Sequence, residues 1–318
     1  MTKKKIAMKS SKNGVETEHL WQLKELEKDS RFNNWLKRHY SITISELNSK
    51  MYDGVIRINS NQVVSAQQMV EYYQQERAID DRLNEADLSG INQQDLKSQI
   101  NRRKRIYRAT SMIDQVEHLK SLEGLILVSL GSVVAIKLGK KLFQDVVAEQ
   151  KRQNKKNTHF KTPKLWSKKE VKELIYQNTK KQNFSKSIWA DVDSLKATVD
   201  DVISRGVATG LSNQEMAKHL QKEVRNEVSK KVYVTERLAR TESAKVEFQV
   251  QHLMLSEQGY KYCQWFAEPG ACRACREISE DSPTKYGAGI YLLKDVPEIP
   301  VHPNCRCSIS SYYPEEKQ

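Results

Sequence analysis

The stretch QGYKYCQWFAEPGACRAC, residues 258–275, is where the chain changes character. Upstream of it, apolar residues recur at helical spacing. From 260 to 267 they alternate instead, with Cys263 and Trp265 on one face, as in a half-buried strand. Gly259 separates the two regimes, as glycine commonly does where a helix stops. Short runs at 289–293 and 308–313 have the same strand character. The expected fold is mainly α: a helical N-terminal region and a helical body, with a small C-terminal α+β Cys/His unit. Only 12 Gly and 7 Pro in 318 residues argue against a loop-rich all-β protein.

Working back from Gly259, a helix from about 231 to 257 carries Val232, Ala239, Val246, Val250 and Leu253 on one side. Ser212 and Glu215 form a capping-box pattern for a helix with Met216 and Leu220. Trp189, Val192, Leu195, Val199 and Val202 make an amphipathic face ending near Gly206 and Gly210, and Trp166 leads a helix through Leu174 and Ile175. Nearer the N-terminus, Leu20, Leu23 and Leu26 space one helix face, followed by Trp35 and Leu36. Ser65 caps a helix whose core face is Ala66, Met69, Val70 and Tyr73. VIRI at 55–58 reads as a short extended piece or turn. From about 95 to 150 the pattern is nearly unbroken helix, with a break expected near Gly124 or Gly131. Its apolar centre, GLILVSLGSVVAI at 124–136, is 13 residues without charge. That is too short to span a bilayer unaided, so a buried helix is expected, with Gly124, Ser129, Gly131 and Ser132 allowing close helix packing, and membrane association is not.

The net charge of +13 is concentrated in three acid-free runs. These are Lys3, Lys4, Lys5, Lys9 and Lys12; then Arg102, Arg103, Lys104, Arg105 and Arg108; then eight residues from Lys151 to Lys169. Without those 18 residues, 35 basic face 40 acidic ones, so the excess is local. Local excess suits contact with a polyanion such as nucleic acid, although solvated tails and linkers account for it equally well. The candidates for DNA contact are Arg102, Arg103, Lys104 and Arg105, with Lys151, Arg152, Lys155 and Lys156. The same runs suggest a basic tail over 1–14, a helical region over 15–150, a basic linker over 151–165 and a second domain over 166–313. No apolar stretch follows the charged start, so no secretory leader and a reducing compartment are expected.

Four of the five cysteines form two tight pairs: Cys272-x2-Cys275, then 26 residues, then His302-x2-Cys305-x-Cys307. In a reducing compartment such spacing favours metal over disulfides, because a tight turn aims both sulfurs at one ion. Zinc takes four such ligands in a tetrahedron. The preferred set is Cys272, Cys275, His302 and Cys305, with Cys307 as substitute. Buried small residues or a disulfide pair are the plainer alternative, and Cys263 is expected to be a buried apolar residue. Neither H-E-x-x-H nor H-x-E paired with P-C-x-x-C occurs, so the Zn2+ site is expected to be closed and structural. Such a metal would tie the C-terminal strands, within 263–307, to the helical body.

ARTE at 239–242 lies in the long helix, where spacing alone would leave Arg240 and Glu242 on different sides and solvated. Taken with Trp265 ahead of C-x2-C, IPVHPNCRC at 299–307, FSKSIW at 184–189 and the GLS turn at 210–212, it resembles the phage head morphogenesis, or Mu protein F-like, minor head proteins. The resemblance covers about 166–312. It implies a minor structural protein of a tailed-phage capsid, inside the head near the portal protein, acting in DNA packaging or ejection. It further implies non-specific contact with double-stranded DNA, contacts with scaffold or major capsid protein, and neither enzymatic activity nor a small-molecule substrate. Carried over by position, Arg240, Thr241, Glu242 and Pro303 gain a structural role, with Arg240 or Glu242 set against the Cys/His unit. One departure is EPGA at 268–271, which retains the acid but not the Arg that family members place before the first Cys. The alternative is a zinc-dependent nucleic-acid enzyme, a nuclease or transferase using Glu242, distinguished by an open metal position.

Overall fold

Helix dominates wherever the sequence has 3.6-residue spacing and lacks Pro. The computed structural model describes residues 12–59, 63–156, 164–176 and 183–314. Among these are eight α-helices: α1 (Lys12–Asn59), α2 (Ala66–Glu85), α3 (Gln93–Thr110), α4 (Gln115–Lys156), α5 (Lys168–Tyr176), α6 (Phe184–Ala208), α7 (Asn213–Glu257) and α8 (Arg273–Glu280). Three strands complete them: β1 (Tyr262–Phe266), β2 (Ile290–Leu292) and β3 (Ser308–Tyr312). The mainly α fold with a small C-terminal strand region is as expected.

Two compact units arise, and neither is contiguous in sequence. The first takes its described residues from Met1–Asn33, Lys141–Ile175 and Glu236–Gln318, the second from Asn34–Lys140 and Tyr176–Thr235. A division in sequence order at a linker over 151–165 is therefore not the one adopted, and α1, α4 and α7 each contribute to both units. The linker expectation fails locally because α4 continues to Lys156. There Gln153 is buried, and Arg152 and Lys156 donate to the buried Glu18 at 3.0 and 2.6 Å. The expected basic tail over 1–14 also overlaps α1, which starts at Lys12; Lys3, Lys4, Lys5 and Lys9 lie outside the described residues.

In the second unit, α6 buries Trp189, Val192, Leu195, Val199 and Val202, the whole expected face. Ser65 and Gln68 form a reciprocal capping box on α2. Its inward face differs from the expected one: Met69 is buried, but Val70 and Tyr73 are exposed and Tyr72, Ile79 and Leu83 point inward. Buried polar pairs make this rotation affordable in free energy. Gln68 exchanges hydrogen bonds with Gln115 at 2.9 and 3.1 Å, and Glu76 accepts from Arg108. VIRI at 55–58 is helical, at the end of α1, with Val55 fully buried. Helix α4 does not break at Gly124 or Gly131; the interruption falls at 111–114, between α3 and α4. Gly131 serves close packing, as expected of the small residues there, since a Cβ would lie 2.6 Å from Val192 Cγ2. By length and composition α4 could cross a membrane, but its most apolar window is 78% buried within the protein, as a core helix should be.

In the first unit, the three strands form an antiparallel sheet in the order β2-β1-β3. Cys263 pairs with Tyr291 and Ser311, and Trp265 with Ile309, in register. Cys263 and Trp265 share the buried face and pack with Phe248, Leu255, Tyr260 and Ile309. Burial lifts the Cys263 thiol to about 12, so it acts as an apolar side chain, as expected. Helix α7 runs from Asn213 without the expected interruption, and Ser212 and Glu215 cap it reciprocally. Leu253, expected inside, is 41% exposed.

The larger surprise is α1. Leu20 and Leu23 are 54% and 49% exposed, whereas Glu18, Gln22, Glu25 and Asp29 are buried at helical spacing. A polar stripe can be buried only if its groups are partnered. Gln22 donates to the Phe266 carbonyl and to Ser308 Oγ, both at 3.1 Å, and Glu18 accepts from Ser308 at 3.0 Å. Asp29 accepts two hydrogen bonds from Arg306, at 2.8 and 2.7 Å.

Candidate metal centre

Both cysteine pairs are aimed by short local turns. Cys272 is the N-cap of α8 and Cys275 its third helical residue. An N-cap and N3 side chain face each other, which is why C-x2-C suits one ion. The backbone N–H of Cys275, with that of Ala274, holds the Cys272 thiol below its ordinary range. The second pair rides on a tight turn. Cys305 N–H donates to the His302 carbonyl at 3.2 Å, and Asn304 has φ 70°. Pro at the second position and a left-handed Asn at the third are what a type II turn requires. H-P-N-C is thus a turn sequence as well as a ligand sequence.

The preferred donors fall in two overlapping groups that share Cys275: Cys272, Cys275 and His302, and Cys275, Cys305 and Cys307. Cys272 Sγ and Cys275 Sγ lie 3.1 and 3.2 Å from His302 Nε2, and Cys275 Sγ lies 3.8 Å from Cys305 Sγ. A tetrahedron with zinc–sulfur bonds near 2.3 Å has edges of roughly 3.8 Å. The sulfur–sulfur distance fits that edge, and the thiol–imidazole distances are a few tenths shorter, as direct hydrogen bonds are. His302 Nδ1–H donates to the Pro303 carbonyl at 2.8 Å, which turns the Nε2 lone pair toward the sulfurs. This is the orienting bond that metal-bound histidines usually make. The cluster can therefore hold a metal ion, and its soft donor set is compatible with zinc.

Cys307 belongs to the same cluster, within 4.8 Å of Cys275 and Cys305. The two C-terminal thiols are not equivalent. A hydrogen bond from Cys307 pulls Cys305 down to about 5 and pushes Cys307 up. Burial raises Cys275 to about 12, so a metal binding there must displace its proton.

ARTE reaches this unit through two of its residues. Arg240 donates to both oxygens of Glu268 at 3.0 and 2.8 Å, and Thr241 Oγ1 accepts from the Asn304 N–H at 3.2 Å. Solvation of Arg240 on spacing grounds is therefore not what occurs. Glu268, the acid of EPGA, is mostly buried, and burial raises its pKa against the pull of Arg240. Glu242 instead accepts from Lys245 at 3.0 Å on its own helix.

The sequence reading did not single out Arg306, between the two ligand cysteines. It is fully buried and donates to Asp29 and Glu247. Lys141 joins the network through Asp145 at 2.8 Å and Asp29 at 3.2 Å. Burial opposes ionisation of Asp29, but Arg306 and Lys141 hold its pKa below the ordinary value. The available signal was the helical spacing of the polar residues Glu18, Gln22, Glu25 and Asp29 on α1.

Half of the basic candidates are engaged internally. Arg103 is buried, donates to Asp193 at 2.7 and 2.5 Å and stacks over Trp189, 4.6 Å from the ring centroid. Lys104 donates to Asp80 at 2.7 and 2.8 Å. Arg152 is bound by Glu149 and Glu18 and lies 3.9 Å over the Trp21 ring, and Lys156 is bound by Glu18. Arg102, Arg105, Lys151 and Lys155 are exposed. No family model, curated protein or solved structure matches this chain.

Proposed function

We propose that this chain is a minor structural protein of a tailed-phage head, associated with portal and DNA, in which zinc at Cys272, Cys275, His302 and Cys305 is structural. The observation that carries the reading is the meeting of two separated motif segments. Arg240 and Thr241 of ARTE bond to Glu268, just before the first ligand pair, and to Asn304, within the second. Such an arrangement holds a closed clamp in place. Cys307, which lies with Cys275 and Cys305, is the substitute for the fourth ligand. Bound zinc would tie the α8 turn to the 302–307 turn at the edge of the cluster that holds Trp265 and Ile309. Contact with DNA, if made through phosphates, falls to the exposed Arg102, Arg105, Lys151 and Lys155.

Two measurements test this. Protein purified under reducing conditions should contain about one zinc per chain, lost when Cys272 and Cys275 become serine. Mass spectrometry of particles from the same genome should find the chain in the head at low copy number. A folded, metal-free wild type defeats the clamp, and absence from assembled particles defeats the head assignment.

A further inference from the structure

We propose that Glu25, Asp145 and Glu247 form a second metal site, separate from the Cys/His cluster, for an oxygen-preferring divalent cation of the Mg2+ or Mn2+ type. One carboxylate oxygen from each residue lies within 4.8 Å of the other two, and all three side chains are buried. They come from α1, α4 and α7 and line a partly open cavity of about 260 Å³ whose walls include Trp21, Lys28 and Arg152.

Glu25 provides the independent sign of a missing partner. It is 3% exposed, its Oε1 accepts from Lys28 at 2.6 Å, and its Oε2 is buried with no donor. A buried carboxylate oxygen without a donor is rare. The other two groups are held by fixed donors. Lys141 and Ser243 donate to Asp145 Oδ2, both near 2.8 Å, and Arg306 donates to Glu247 Oε2. The site is thus preorganised on three helices. Its donors are all hard oxygens, which select against zinc where thiolates compete, and the cavity leaves room for the waters that Mg2+ and Mn2+ retain. Burial holds the Glu247 carboxyl well above its usual range, so the rival occupant is a shared proton.

The test uses the zinc-loaded full chain and Mn2+ as probe. Loss of the free Mn2+ paramagnetic signal should report one ion bound per chain, and Glu25→Gln should weaken binding by about tenfold or more. In protein labelled with fluorotryptophan, Mn2+ should broaden the Trp21 resonance before the other four of the 5 tryptophans. That readout decides on wild type even if the variant fails to fold. Broadening of Trp265 first, undiminished binding in Glu25→Gln, or no binding in the millimolar range overturns the proposal and leaves the proton as occupant.

Discussion

At Thr241, one hydroxyl connects α7 to the ligand turn by accepting the Asn304 N–H. Asn304 is in the left-handed region, so this bond helps hold the backbone that aims His302 and Cys305. Thr241→Val keeps the shape and removes the acceptor. It should cost about 1 kcal/mol of stability and weaken zinc binding by about tenfold, measured by chemical denaturation and chelator competition. Arg240→Ala leaves Glu268 mostly buried without its cation, which should cost roughly 2 kcal/mol. A second residue-scale prediction concerns pH. Glu123 is fully buried with both oxygens unpartnered, and burial, aided by Glu46, raises its pKa well above 4.5. Below 4.5 the folded and unfolded chains are both protonated there, so the group contributes no pH dependence. Above it the unfolded chain releases a proton that the folded chain keeps, removing about 1.4 kcal/mol per pH unit until the folded pKa is reached. Glu123→Gln stays neutral throughout. Its urea midpoint should match wild type near pH 4 and exceed it increasingly as the pH rises; a constant difference between the two rejects this account.

The elements that could be read in the sequence are those whose determinants are local. The α6 face, the Ser212 cap and the strand alternation around Cys263 each lie within one short window, and each forms as expected. Helix α1 could not be read that way. Its buried stripe is polar, and Gln22 finds its partners at Phe266 and Ser308, far along the chain. No periodicity of apolar residues reports such a face, so the exposed Leu20 and Leu23 misled. The same holds for Arg306, whose partners Asp29 and Glu247 come from two other helices. Glycines in α4 could be read only in part: close packing is expected from them and occurs, but which element each one meets lies outside any local window. Gly139 is the clearest case. A Cβ on Gly90 would meet the Gly139 carbonyl oxygen at 1.8 Å, backbone against backbone. Gly90→Ala should therefore lower stability by roughly 3 kcal/mol, at the upper end of overpacking effects, whereas Gly270→Ala, with nothing within 4 Å, should be neutral in the same melt.

Across the whole molecule, the +13 charge overstates what is offered to a polyanion, because internal acids already hold several of the clustered cations. Arg103 and Arg152 each stack on a tryptophan and bind carboxylates, an arrangement that stabilises a fold and withdraws the charge from solvent. If the chain contacts DNA through the eight candidates of the second and third runs, the exposed Arg102, Arg105, Lys151 and Lys155 carry the contact. Counterion release makes that claim quantitative, since each phosphate contact contributes about 0.9 to the slope of log affinity against log salt. Lys151→Ala with Lys155→Ala should lower the magnitude of that slope by about 1.8, measured by anisotropy of labelled duplex across a salt series, without lowering the melting temperature. Arg103→Ala and Arg152→Ala should do the reverse, destabilising the fold while leaving the slope of the folded fraction unchanged. The opposite pattern would place the contact surface on residues now seen bound to carboxylates. Absence of binding even at low salt would remove DNA from the proposed function while leaving the metal clamp and the portal association to be judged separately.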